Sequence, residues 1–289
     1  MDTSKQKVAV VVPTIRPETI QVFFDAWKEL FVKHNVVFVL VLDGENPSVK
    51  CDGFNEWFLD SDLISNYCAG VRQAGFLFIH KHLPDVEYIF TTDDDCFPIG
   101  DPIQDHIDQL NRRVPLSWFA TASEYMRGFA YGVRDEAKVV ASHGVWEGNY
   151  DWDAPSQLLK KDVKVDFYKG VIPRGIFTPL CGMNFAFRRE ILPLVYFAPV
   201  GSYKGAERFD DIWMGLELIK SLANSTENLA IVSGYAKVQH LRASNVFTSL
   251  EKECMGIKMN EVYWKGEYDD WYLSFLEKRK RWYDITYNI

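Results

Sequence analysis

The chain has 289 residues, 47% of them apolar and 25% charged, the profile of a folded globular protein and not of a disordered or collagen-like one. Its 32 Lys and Arg against 40 Asp and Glu leave a net charge of −8, which argues against wrapping nucleic acid or an anionic membrane as its main task. A small anionic substrate stays allowed, provided that local cations or a metal offset the field.

In chain order, residues 8–12 form a β-branched run ended by Pro13 and predict a fully buried strand. Ile20, Phe23, Phe24, Trp27, Leu30 and Phe31 follow at steps of three and four, one helical face with Pro17 near its start. Residues 36–42 predict a second buried strand stopped by Asp43-Gly44, residues 64–82 a helix despite Gly70 and Gly75, and residues 88–91 a third strand running into Asp93-Asp94-Asp95. This alternation predicts βαβ units and an α/β, Rossmann-like fold with a mostly parallel central sheet. Residues 115–179 are less regular and rich in Gly, Tyr and Trp, whereas 191–197 and 229–232 look ordered again. Thr248 with Glu251 suggests a capping box opening a C-terminal helix. The run Lys278-Arg279-Lys280-Arg281 reads as a solvated helix end. The expected organisation is a catalytic domain over 1–256 and a helical extension over 257–289 packed on it.

The five cysteines are odd in number, widely spread and free of any C-x-x-C pair, which fits a reducing compartment better than a disulfide framework or a zinc site. Residues 1–7 are polar, unlike a signal peptide, and the longest strongly apolar run, 36–42, is far short of the about 20 residues a membrane helix needs. The expectation is a cytoplasmic protein with no transmembrane segment and no nucleic-acid partner; a homo-oligomer stays open.

Ligands of α/β sheets gather at the carboxyl ends of strands, here Thr14 to Arg16, Asp43 to Asn46 and Asp93 to Cys96. Three adjacent carboxylates repel one another unless solvent or a cation relieves them, and hard ions such as Mg2+ and Mn2+ take oxygen ligands. The plain alternative is a solvated acidic loop. Asp210-Asp211 precedes an apolar helical run, either as a helix cap or as carboxylates aimed at a sugar. His240 could complete a metal shell, and His143 is equally able to be a buried hydrogen-bonder. A −8 chain must recruit cations to hold a diphosphate, and the arginine fork suits phosphate oxygens. Candidates are Arg16, Arg72, Arg127, Arg134, Arg174 and Arg208, against the background that most arginines are surface charge. Gly182 permits close backbone approach, Asn184 could hydrogen-bond a sugar, and Cys181 reads as a small buried hydrophobe.

Several stretches in order resemble the reversibly glycosylated polypeptide family, the UDP-arabinopyranose mutases of glycosyltransferase family 75. They are Val11-Val12-Pro13-Thr14-Ile15-Arg16, Thr92-Asp93-Asp94-Asp95-Cys96-Phe97, Arg127-Gly128-Phe129 and Val140-Ala141-Ser142-His143-Gly144-Val145-Trp146. Further on come Asp153-Ala154-Pro155-Ser156-Gln157, Pro179-Leu180-Cys181-Gly182-Met183-Asn184-Phe185-Ala186-Phe187, Arg208-Phe209-Asp210-Asp211-Ile212-Trp213, and His240 with Ala243-Ser244-Asn245. The resemblance implies a GT-A-type fold, a divalent metal (Mn2+ before Mg2+) and no redox cofactor. The substrate would be a nucleoside-diphosphate sugar, UDP-linked before GDP-linked, whose pyranose and furanose rings are interconverted. It places reversible glycosylation on Arg127 and the metal on Asp93, Asp95 and His240. Asp210 or Asp211 is expected as the carboxylate that takes a proton from Arg127. Thr14, Arg16, Asp43, Arg72, Asp94, Arg134, His143, Arg174, Gly182 and Asn184 are expected around the substrate. Arg188 and Val246 depart from the residues expected at their positions, an acidic residue and a proline. Competing readings are a glycosyltransferase with an external acceptor, a self-glycosylating binding scaffold and a metal-dependent phosphohydrolase.

Overall fold

The structure, a computed structural model, describes residues 7–57, 62–119, 125–150, 152–159, 165–201, 203, 205–241 and 245–287. Ala243 and Ser244 of the last matching stretch lie outside them.

Strand β1 (Lys7–Thr14) buries Val8, Val10 and Val12 on one face and Ala9 and Val11 on the other, so the sheet carries a core on each side. A short 3-10 turn with Pro17 at its start leads into α1 (Ile20–Lys33), which buries Phe23, Trp27 and Phe31. Then come β2 (Val37–Leu42), β3 (Ser48–Cys51) and β4 (Phe54–Trp57). Helix α2 (Arg72–His82) follows a 3-10 turn over Ala69–Val71. The helix expected from residue 64 therefore starts later. Tyr67 has φ 57°, outside the helical region, and gives its N–H to the Asp43 carboxylate at 2.9 Å. Gly75 is required where α2 meets the sheet, because a Cβ there would come within 2.6 Å of Val11 and 2.9 Å of Val41.

Strands β5 (Val86–Thr92) and β6 (Cys96–Pro98) flank the aspartate triplet and precede α3 (Pro102–Leu110). After β7 (Arg113–Val114) comes β8 (Ala137–Gly148), a 12-residue strand inside the stretch read as irregular. Helix α4 (Ala154–Leu159), β9 (Gly170–Ile172) and β10 (Asn184–Arg188) follow. Helix α5 (Asp210–Ala223) then leads to β11 (Leu229–His240), α6 (Val246–Trp264) and α7 (Asp270–Tyr287).

The main order is β4-β3-β2-β1-β5-β10-β8-β11-β6. The α/β class holds, but the sheet is mixed: β1 pairs in parallel with β2 and β5, and β8 with β11, while β10 runs antiparallel between β5 and β8. Because β10 reverses the direction twice, β1, β2, β5, β8 and β11 still point the same way. His240, at the end of β11, thereby arrives at the same rim as Thr14, Asp43 and Asp93.

Helix α6 starts at Asn245, whose Oδ1 accepts from the N–H groups of Phe247 and Thr248 at 3.0 and 3.2 Å, so Asn245 and not Thr248 is the cap. Val246 is the first helical residue, a position where proline is equally at home. The expected boundary at 256 falls inside α6. Helix α7 packs on the 3-10 turn Arg189–Leu194, with Trp282 fully buried and its indole N–H donating to the Leu192 carbonyl at 3.1 Å. The basic run lies mid-helix, not at a solvated end: Arg279 donates to Ser221 Oγ at 2.7 Å and Arg281 pairs with Asp62 at 2.6 Å. All five cysteines are unpaired, and among the described residues no helix is long and apolar enough to cross a membrane.

Candidate active site

The shared rim opens into a cavity of about 510 Å³ lined by Arg72, Asp93, Asp95, Arg208, Asp210, Asp211 and His240 among others. The antiparallel ladder of β6 on β11 sets His240 opposite Cys96, and the Leu241 N–H donates to the Asp95 carbonyl at 3.2 Å. The His240 ring therefore lies beside the Asp95 carboxylate, Nε2 to Oδ1 3.8 Å. Its Nδ1 faces the Asn149 carbonyl at 2.8 Å, which can only accept, so Nδ1 holds a proton and Nε2 is the nitrogen turned to Asp95. Burial pushes the Asp95 carboxyl up to about 6; neighbouring Asp93 and Asp94 add to the rise, while His240 and Arg16 oppose it.

The other two aspartates are spoken for. Asp94 is buried, accepts from Thr14 Oγ1 at 2.5 Å and pairs with Arg16, whose guanidinium also reaches Asp95 at 3.5 Å. Asp93 pairs with Arg72, a fully buried arginine whose Nε donates to Thr91 Oγ1 at 2.9 Å. Burial works against charge on Arg72, but Asp93, Asp210 and Asp211 more than offset it and hold the guanidinium above its usual range. Among the described residues no three His, Cys, Asp or Glu side chains gather as a metal set. Of the expected trio, Asp95 and His240 face each other, while Asp93 is paired with Arg72.

Asp210 and Asp211 open α5. Asp210 accepts from the N–H groups of Gly70 at 3.2 Å and Asp211 at 2.9 Å, and burial pushes its carboxyl up to about 6 against the pull of Arg72. Asp211 Oδ2 accepts from the Gly182 N–H at 3.0 Å. Gly182 is needed there, because a Cβ would come within 3.0 Å of the Phe197 ring and 3.2 Å of the Arg72 guanidinium carbon.

Most of the other expected site residues are engaged within the fold and do not line the cavity. Asn184 is buried and fully engaged: Oδ1 accepts from His106 Nε2 at 2.8 Å, and Nδ2 donates to the carbonyls of Val145 at 2.9 Å and Ala236 at 3.2 Å. With both amide hydrogens used and the side chain fully buried, it does not line the cavity. His143 accepts the Cys181 N–H at Nε2 over 3.1 Å, and its Nδ1 meets Ser233 Oγ at 3.1 Å, so it holds the loop beneath the cavity and does not face it. Asp43 accepts from the Gly44 and Tyr67 N–H groups, and burial raises its carboxyl. Arg134 lies between the rings of Tyr125 and Tyr131, 4.6 and 3.8 Å from their centroids. Arg174 donates to the Ala223 and Ser225 carbonyls past the end of α5, at 2.8 and 2.7 Å. Neither arginine lines the cavity. Arg127 is exposed, does not line the cavity, and makes no hydrogen bond or ion pair with the described residues. Arg188 donates to the Leu110 carbonyl at 2.9 Å and pairs with Glu87, away from the site.

Missed by sequence reasoning are Glu207, Thr248, Ser249 and Lys252, all lining the cavity. Only the step of three and four from Asn245 along α6 could have placed the last three on one face.

A sequence profile described as "Reversibly glycosylated polypeptide" matches residues 3–266. The chain is 31% identical to the Solanum tuberosum protein named "Probable UDP-arabinopyranose mutase 2", over 91% of this chain and 76% of that one. It is 29% identical to "UDP-arabinopyranose mutase 1" of Oryza sativa subsp. japonica, over 89% of this chain and 76% of that one. Among solved structures, the catalytic domain of Drosophila beta1,4galactosyltransferase 7 in complex with xylobiose aligns with a TM-score of 0.39 at 12% identity, over 82% of this chain and 71% of that one. A197 from STIV aligns with a TM-score of 0.42 at 12% identity, over 82% and 87%. With the profile spanning nearly its whole length and such relatives matching nine-tenths of it, the chain belongs to the reversibly glycosylated polypeptide family.

Proposed function

We propose that the chain is a nucleoside-diphosphate-sugar mutase that interconverts the pyranose and furanose forms of the bound sugar, with UDP-arabinopyranose as the first substrate to try. Its relatives' names support this reading, and one observation carries it: Nε2 of His240 and the carboxylate of Asp95 face each other on the cavity wall. With the imidazole neutral the two are acceptors that suit a shared cation, and carboxylate plus imidazole suits Mn2+ first and Mg2+ second. Asp95 and His240 would hold that ion, with the Asn149 carbonyl fixing the imidazole's tautomer from behind. When bound, the ion supplies positive charge against the leaving diphosphate.

The rest falls to the chain's own groups. Asp210 and Asp211 put negative charge beside the place where C1 of the sugar becomes electron-poor as the anomeric C–O bond breaks. A different hydroxyl of the sugar then bonds to C1, its proton passes to the old ring oxygen, whose bond to C1 breaks, and the diphosphate oxygen re-forms its bond to C1, so no electrons are gained or lost and no redox cofactor is called for. Asp210 and Asp211 are tied to backbone N–H groups, and Arg127 lies outside the cavity, which weighs against either carboxylate taking a proton from Arg127. We assign Arg127 the lesser role of an external clamp on the substrate.

The test is incubation with UDP-arabinopyranose and Mn2+, following the anomeric region by NMR. Furanose signals at constant total nucleotide sugar are expected. Sugar passed only to an added acceptor, one sugar equivalent consumed per chain, or release of nucleotide and phosphate without furanose would each overturn the mutase reading.

A further inference from the structure

Helix α6 presents Asn245, Thr248, Ser249 and Lys252 to the cavity, one face at helical spacing. The cavity's cations differ in their state of engagement. Arg72 is paired with Asp93, and Arg208 with Glu253 at 3.0 Å. Lys252 makes no ion pair or hydrogen bond with the described residues. One turn back, Ser249 is only 3% exposed. Its N–H is used by the Asn245 carbonyl at 2.9 Å, yet its hydroxyl has no hydrogen-bond partner among the described residues. On the cavity wall that unpartnered hydroxyl is placed to donate to a ligand.

We propose that this face of α6 is the wall that binds the diphosphate of the substrate, with Lys252 as its cation and Ser249 and Thr248 as hydroxyl donors. The inference rests on the nucleotide-sugar reading above. Asn245 already occupies the N–H groups of Phe247 and Thr248, so the contacts come from side chains, and the helix adds only the positive end of its dipole. The other groups serve the diphosphate less directly: Asp210 and Asp211 repel it, Asp95 is assigned to the metal, and Arg72 and Arg208 are each paired with a carboxylate. Lysine acts on phosphate as a point charge, without the fixed fork of arginine, so an arginine at 252 retains the function.

The test is calorimetric titration of the full chain with inorganic pyrophosphate and, separately, with UDP, at low and high salt. Lys252→Gln is expected to weaken pyrophosphate and UDP binding about tenfold and to flatten the salt dependence. Lys252→Arg stays within about threefold of the parent, and Ser249→Ala loses about threefold. Lys265→Gln, at the far end of the same helix, binds as the parent does. In turnover, Lys252→Gln raises KM by more than it lowers kcat. Unchanged pyrophosphate and UDP binding in both Lys252→Gln and Ser249→Ala, or no binding of either ligand by the parent, would overturn the assignment. Lys252-dependent pyrophosphate binding without furanose formation would leave the wall standing and remove the mutase reading alone.

Discussion

His240 turns Nε2 toward Oδ1 of Asp95 at 3.8 Å while its Nδ1–H is held by the Asn149 carbonyl at 2.8 Å. If that pair holds the divalent ion, Asp95→Asn and His240→Gln each weaken Mn2+ binding by at least about tenfold. Because Asp95 is raised to about 6, the parent's affinity for Mn2+ falls as pH drops below 6 and the carboxyl takes a proton. Without metal the sign reverses for stability. The folded state binds the extra proton between the unfolded pKa near 3.8 and about 6, so Asp95 makes the fold less stable as pH rises through that window. Asp95→Asn flattens both trends. Mn2+ titration followed by electron paramagnetic resonance, with urea melts at pH 4.5 and 7, checks them. Parent-like Mn2+ affinity in Asp95→Asn would remove the carboxylate from the metal's shell.

Arg127 separates function from folding. It is exposed and has no partner among the described residues, so Arg127→Lys changes stability by less than about 0.5 kcal/mol. A clamp on the substrate predicts a drop in mutase turnover of at least about tenfold, because lysine cannot reproduce the bidentate fork. Full turnover in Arg127→Lys would take Arg127 out of the reaction.

The parallel strands β1, β2 and β5 were legible because each is a short β-branched run ended by Pro, Asp-Gly or the aspartate triplet, although β2 fully buries only Val39 and Val41. Strand β8 was not. Its buried residues include Ala137, Ala141, Ser142, His143 and Gly144, which read as loop until their partners are known. Ser142 and Asn184 bind the two nitrogens of His106, each at 2.8 Å, and none of that spacing is local in the chain. The carboxylates of the site were visible as a triplet and a pair, but their division of labour was not. Arg72 claims Asp93 across 21 residues, Arg16 claims Asp94 across 78, and only Asp95 turns to the residue that β11 delivers. The reversed β10 likewise leaves no mark on periodicity, because a strand buried on both faces looks the same in either direction.

Arg174 is engaged at a helix end, off the cavity wall. Its guanidinium gathers the carbonyls of Ala223 and Ser225 where α5 ends, complementing the negative end of the helix dipole. Arg174→Ala should cost about 1–2 kcal/mol of stability while leaving KM for the nucleotide sugar unchanged. Urea denaturation beside steady-state kinetics distinguishes this from a substrate contact, for which KM would rise and stability would hold.

The acid limb of stability should trace to two buried imidazoles. Burial lowers both His106 and His143 to about 4, and the Asn184 hydrogen bond only partly opposes this for His106. In the unfolded chain each titrates near 6.5, so between about 6.5 and 4 the unfolded state binds more protons than the folded one, and stability is lost as pH falls. A shift of this size corresponds to on the order of 2–4 kcal/mol per imidazole. His143 also holds the Cys181 N–H, next to the Gly182 N–H that meets Asp211. His143→Gln therefore has two expected effects: a shallower loss of stability between pH 6.5 and 4, because glutamine does not titrate, and a lower kcat at pH 7, because the loop bearing Gly182 is no longer fixed. Urea melts across that range test the first and steady-state turnover the second. A pH slope equal to the parent's would mean that His143 is not held neutral, and an unchanged kcat would mean that Asp211 is positioned without it.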